Sequence, residues 1–243
     1  MKGPLCAWPI IAAFIALSTA VASPQEQAAP KSAAQPEDLL AKALKLLPSK
    51  QWLEIKTILV EGIKGMPENW SPIEVQAGAT PEEERVLFNA WDSREVIAFL
   101  TEHASQRPAA APGPSYSKAY WLLGAADLEI GSVKDAEDAL DRGLKLEPDQ
   151  PTLLCEKAFC YQKEKRYQEA LDLYKRAAAA RTWASRSEMG RAWRGQGNCL
   201  TDLGQLDAAE SALRTALQFS PGHLAAVNSL GFVRRQRQTS SRR

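Results

Sequence analysis

Between Ser117 and Val233 the apolar residues recur at helical spacing in paired runs. Tyr120, Leu123, Gly124 and Leu128 lie three or four residues apart and mark one face of a helix. The periodicity breaks at Gly131-Ser132 and restarts with Ala136, Leu140, Gly143 and Leu144 as a second helix. Glu147-Pro148-Asp149 ends that helix, because a proline disfavours helical geometry in the residue before it. The same arrangement then repeats. Gly124, Ala158, Gly197 and Gly231 hold one place at steps of 34, 39 and 34 residues. Ala136, Ala170 and Ala209 hold another at 34 and 39, as do Leu140, Tyr174 and Leu213. Pro148 and Pro221 close the first and third copies, 73 residues apart. Small residues at a fixed place in each first helix predict that its second helix crosses closely there. One such hairpin cannot bury enough apolar surface by itself, so the copies must stack.

A period of about 34 with small residues at the helix crossing resembles the tetratricopeptide repeat. The resemblance implies an all-α fold, a right-handed superhelical stack of helix-turn-helix repeats. Three repeats fall at 117–150, 151–189 and 190–223. Residues 181–189 include five beyond the period, expected as a lengthened helix end or loop. A capping helix at 224–236 follows, with Asn228, Arg235 and Gln236 on a polar outward side, and then a basic tail at 237–243. In this family the first helix of each repeat lines a concave groove that receives a peptide or a helix. Carried onto this chain, the matching places are Lys118, Trp121, Ala125 and Leu128 in the first repeat. The second offers Thr152, Cys155, Phe159 and Gln162, and the third Arg191, Arg194, Asn198 and Thr201. The surface so defined changes from apolar to basic along the array. The other reading of Trp121, Leu128 and Phe159 is core, covered by the N-terminal hairpins. Arg194 and Asn198 match the first half of the carboxylate clamp of chaperone-binding members. Ser229 stands where the next clamp asparagine belongs, so binding of chaperone tails is not expected.

Residues 36–106 read as two degenerate hairpins of the same kind. In 36–69, Leu39, Ala43 and Leu46 give one helical face and Trp52, Leu59, Gly62 and Ile63 another, with Ala43 and Gly62 as the small residues. After an irregular link at 70–78, Thr80-Pro81-Glu82-Glu83 carries helix-start signals, predicting a helix to about Trp91. Asp92 and Glu95 resemble a capping box for a further helix over 93–105. Residues 107–116 form a Pro/Ala linker, either a hinge or a long loop.

The chain has 243 residues, with 30 basic and 29 acidic side chains. It opens with Lys2, an apolar run from Leu5 to Leu17 and Ala20-Val21-Ala22, the pattern of a secretory signal peptide cut after Ala22. An uncleaved N-terminal membrane anchor is the alternative, although the run is shorter than the roughly 20 residues of a spanning helix. Residues 23–35 are a leader rich in Ala, Pro and Gln, expected to be disordered. The mature chain balances 29 basic against 29 acidic residues, which argues against nucleic acid as a partner. Membrane contact is expected only if the N-terminal segment stays attached. Cys155, Cys160 and Cys199 read as buried small hydrophobes without a disulfide. No catalytic, cofactor-binding or metal-ligating motif occurs, and the two histidines, His103 and His223, sit near predicted helix ends. The expected function is therefore a non-catalytic scaffold, periplasmic or secreted, holding a protein or peptide. The rival is a self-associating or membrane-tethered structural element of an envelope assembly.

Overall fold

The computed structural model describes residues 36–77, 80, 84–91, 93–102, 109–110, 114–179 and 184–240. The expected signal peptide at 1–22, the expected leader at 23–35, Asp92 and His103 lie outside them.

Ten α-helices occur among the described residues, and those from α4 onward follow the period read from the sequence. α4 (Tyr116–Ile130) and α5 (Val133–Leu146) form the first hairpin, α6 (Pro151–Lys163) and α7 (Tyr167–Ala179) the second, and α8 (Arg186–Asp202) and α9 (Leu206–Phe219) the third. α10 (Leu224–Ser240) packs on α9. Local chemistry sets the ends. Ser115 caps α4 by accepting from the Lys118 amide, and Pro151 opens α6. Ser185 and Glu188 form a capping box on α8. The turn inside each hairpin needs a left-handed residue, supplied by Gly131 (φ 94°), Lys165 (φ 64°) and Gly204 (φ 75°).

The crossings lie where the repeated small residues stand. A Cβ on Gly124 would come within 2.7 Å of Leu140 Cγ and 3.3 Å of the Ala136 carbonyl oxygen. On Gly197 it would come within 2.5 Å of Leu213 Cγ and 3.3 Å of the Ala209 carbonyl oxygen. The two hairpins are thus the same contact built twice.

Upstream, α1 (Pro36–Leu46) and α2 (Trp52–Lys64) form a hairpin joined by a short 3-10 turn at Leu47–Ser49. Gly62 lets α2 approach Leu39, whose Cβ would be 3.2 Å from a Cβ there. α2 packs directly on α4, burying Ile55, Leu59, Leu122 and Ala126 together. Lys56 of α2 reaches the next hairpin, with its ammonium 2.6 Å from Asp127 Oδ1 and 3.1 Å from Asp135 Oδ2.

The second expected hairpin is corrected. The stretch predicted as a helix up to Trp91 contains a strand, β2 (Arg85–Phe88), and the irregular link contains β1 (Ile73–Gln76). They pair antiparallel, with Val75 opposite Val86 and Ile73 opposite Phe88. The short β3 (Ala109–Ala110), inside the expected linker, pairs parallel with β2. The physical reason is period. Val86 and Phe88 fall two apart and are buried together against Phe99, whose ring lies 4.5 Å from that of Phe88. Helix-start residues upstream are a weak local preference beside that burial. The later helix is present as α3 (Ser93–Glu102). Glu95 accepts from the Trp91 amide at 2.8 Å and from Gln150 Nε2 at 3.0 Å, tying α3 to the start of α6.

Two further boundaries move. α8 begins at Arg186, so the last four residues of the 181–189 insertion lengthen the third repeat's first helix. α10 runs to Ser240, past the expected end at 236, because Arg234 and Arg237 bind Glu210 of α9, and Arg237 also meets Asp207 at 2.6 Å. These hydrogen bonds hold the Glu210 carboxyl below the ordinary carboxylate range.

Candidate functional site

The first helices of the three repeats, α4, α6 and α8, face a common cleft of about 500 Å³. Leu47 and Trp52 of the N-terminal hairpin close one end, so that hairpin forms a wall of the cleft without filling it. Trp121, Leu128, Phe159, Gln162, Arg191, Arg194 and Asn198 line it, as does Ala125. Lys118 does not. Its ammonium donates to the Trp91 carbonyl at 2.7 Å, fastening the strand-containing excursion to α4. Cys155 is also off the surface: it is buried in the core, and burial pushes its thiol up to about 12. Cys160 and Cys199 are buried as well, their thiols likewise pushed up to about 12, and all three described cysteines are free. Thr152 donates to Glu188 at 2.9 Å and Thr201 to the Gly197 carbonyl at 2.7 Å, so neither hydroxyl is offered to the groove.

At the apolar end, Trp121 is half-buried, with the Trp91 ring centroid 5.7 Å from its own. Phe159 is more open, at 39 % exposure. The floor near the middle is the Tyr174 ring, packed so closely over Gly195 that a Cβ there would collide with it. The Tyr174 hydroxyl donates to Gln162 Oε1 at 2.8 Å.

At the basic end the two arginines differ. Arg191 Nη2 stands 2.9 Å from Glu156 Oε2, while Trp121 Nε1 donates to Glu156 Oε1 at 3.3 Å. One buried carboxylate thereby links α4, α6 and α8. Burial works against the Arg191 charge, but the surrounding groups, Glu156 first among them, together raise its pKa. Arg194 pairs with no carboxylate among the described residues, and its Nη1 lies 3.0 Å from His223 Nε2. Burial, then the like charge of Arg191, hold its pKa below the ordinary arginine value. A carboxylate arriving beside Arg194 would relieve both penalties. Glu156 is the residue that sequence reasoning missed. It sits three places before Phe159 on α6, and that spacing from a groove residue is the one sequence signal for it. Among the described residues, no group of His, Cys, Asp and Glu is placed to hold a metal ion.

Comparison with known proteins agrees with this architecture. Residues 149–222 match the family pattern of the tetratricopeptide repeat. No curated protein matches the chain. Among solved structures, a MamA fragment from Desulfovibrio magneticus RS-1 superimposes with a TM-score of 0.55 at 16 % identity, over 85 % of this chain and 87 % of that one. Another MamA crystal structure gives 0.52 at 15 % identity, over 82 % and 80 %. At such identities the likeness is one of fold. With the repeated crossings at Gly124 and Gly197 and the stacked hairpins, the chain has the tetratricopeptide-repeat fold, and residues 149–222 carry the family pattern itself.

Proposed function

We propose that the chain is a non-catalytic protein-interaction scaffold whose cleft receives a peptide or helix carrying an apolar anchor and a carboxylate. The observation that supports this most directly is Arg194, a half-buried cation without a carboxylate partner among the described residues, in the same cleft as the exposed ring of Phe159. Phe159 would hold the apolar anchor, and Arg194 would set the orientation. Trp121 contributes to the wall, but its contact with Trp91 and its bond to Glu156 make it partly structural.

Selection of a random peptide library against the full chain tests the reading while the natural partner is still unidentified. Enriched peptides should pair an aromatic or large aliphatic residue with an acid. Phe159→Ala and Arg194→Ala should each weaken them by about 30-fold, the size of a ~2 kcal/mol hot spot, with melting temperature nearly unchanged. The Arg194 contribution should fade as salt rises. Peptides that bind both variants as well as wild type would rule the cleft out as their site.

The proposed setting is the bacterial envelope or the extracellular space, supported by Lys2, the short apolar run and Ala20-Val21-Ala22. Among the described residues no helix is long and apolar enough to cross a membrane. Intact mass of the native protein should correspond to a chain beginning at Ser23, and a cytosolic chain beginning at Met1 would overturn this.

A further inference from the structure

In each complete hairpin a second helix sits on the first at the repeated small residue. Leu140 and Ala136 lie over Gly124, and Leu213 and Ala209 over Gly197. α10 carries the same place at Gly231, and there the seat is empty. A Cβ on Gly231 would meet only Arg235 Nη1, at 3.5 Å. One face of α10 is used, with Ala226, Leu230 and Val233 buried against the stack. On the side that carries Gly231, Leu224 is 71 % and Val227 45 % exposed, and Phe232, about 100° round the helix, is also 45 % exposed. The polar outward side expected from Asn228, Arg235 and Gln236 is thus interrupted by three large apolar residues.

Charge narrows what could cover this face. α10 has three arginines and no acid. Arg234 and Arg237 are taken by Glu210 and Asp207. Arg235 lies across the empty seat and pairs with no carboxylate among the described residues. A second α10 laid against the first would bring like charges together, which disfavours a symmetric dimer here. The chain's own second helices show what fits. Each has alanine and, four residues on, leucine or tyrosine, with an acid beside the alanine: Ala136, Leu140 and Glu137; Ala170, Tyr174 and Glu169; Ala209, Leu213 and Glu210.

We propose that the open face of α10, centred on Gly231, is a second docking surface, for an acidic amphipathic helix of a partner protein with the Ala-x-x-x-Leu pattern. The helix would seat its leucine over Gly231, cover Leu224 and Val227, and place its acid against Arg235. This surface is separate from the cleft and does not depend on what the cleft binds.

A labelled synthetic peptide of residues 205–220, the α9 sequence, serves as the probe, titrated into the full chain. Saturable binding is expected, and it should fall about tenfold or more with Gly231→Leu, the scale of a well-packed contact. That variant fills open space and favours helix, so its melting temperature should not drop. Arg235→Glu should weaken binding too, as should replacing the peptide's leucine at position 213 with aspartate, whereas Phe159→Ala and Arg194→Ala should leave it unchanged. Loss through the two cleft variants would assign the peptide to the cleft and overturn the proposal. Absence of binding at millimolar peptide, or equal binding to Gly231→Leu, would also overturn it. So would a concentration-dependent dimer that protects α10 from hydrogen exchange, which would make a second copy the occupant.

Discussion

A Gly197→Leu chain should melt roughly 6–12 °C below wild type, from a loss of about 3 kcal/mol at the upper end of overpacking penalties. A Cβ alone would already stand 2.5 Å and 2.8 Å from two carbons of Leu213, with the Ala209 carbonyl oxygen at 3.3 Å, so the helices must separate to admit leucine. Gly131→Ala is the control. Nothing lies within 4 Å of a Cβ there, but the backbone is left-handed at φ 94°. Its cost is therefore local strain of about 1–2 kcal/mol, without any displacement of helices. Thermal melts of the two variants side by side check this. If Gly197→Leu were as mild as Gly131→Ala, the crossing would not be where the period puts it.

Lys56→Met should also destabilise the chain by about 3 kcal/mol, as measured by denaturant unfolding. The Asp127 side chain is only 2 % exposed, and the Lys56 ammonium stands 2.6 Å from it. Burial raises the Asp127 pKa while Lys56 opposes the rise. Removing the lysine leaves an uncompensated carboxylate between α2 and α4. The double variant Lys56→Met with Asp127→Leu should recover most of the loss, because burying neither charge avoids both desolvation penalties. A neutral Lys56→Met would mean that apolar packing around Ile55 and Leu122 alone attaches the N-terminal hairpin.

The part of the fold legible in the sequence is the part that repeats. Gly124, Gly197 and their facing leucines recur at a fixed period because one contact is rebuilt, and repetition separates that signal from local noise. The region between α2 and α4 has no second copy to compare with. There Thr80-Pro81-Glu82 spoke for a helix, whereas the decisive fact was long-range: Val86 and Phe88 meet Phe99 and pair with Val75 and Ile73 of the upstream strand. Most of the cleft followed from the repeat as well, since equivalent places on successive first helices must line one surface. Lys118 and Cys155 departed from it for tertiary reasons. The excursion captures Lys118 through the Trp91 carbonyl, and Cys155 is buried in the core while its neighbour Glu156 reaches Arg191. The exposed apolar face of α10 was hidden by the polar residues interleaved with it.

A partner should be held in the concave cleft and not on the outer side of the hairpin stack. Placing a photo-crosslinking amino acid at Phe159, inside the cleft, and separately at Lys175, exposed on α7 outside it, tests this in cells that produce the chain. A discrete crosslinked species is expected from position 159, removed by Arg194→Ala, and no such species from position 175. Equal crosslinking at both positions, or a species at 159 indifferent to Arg194→Ala, would contradict it.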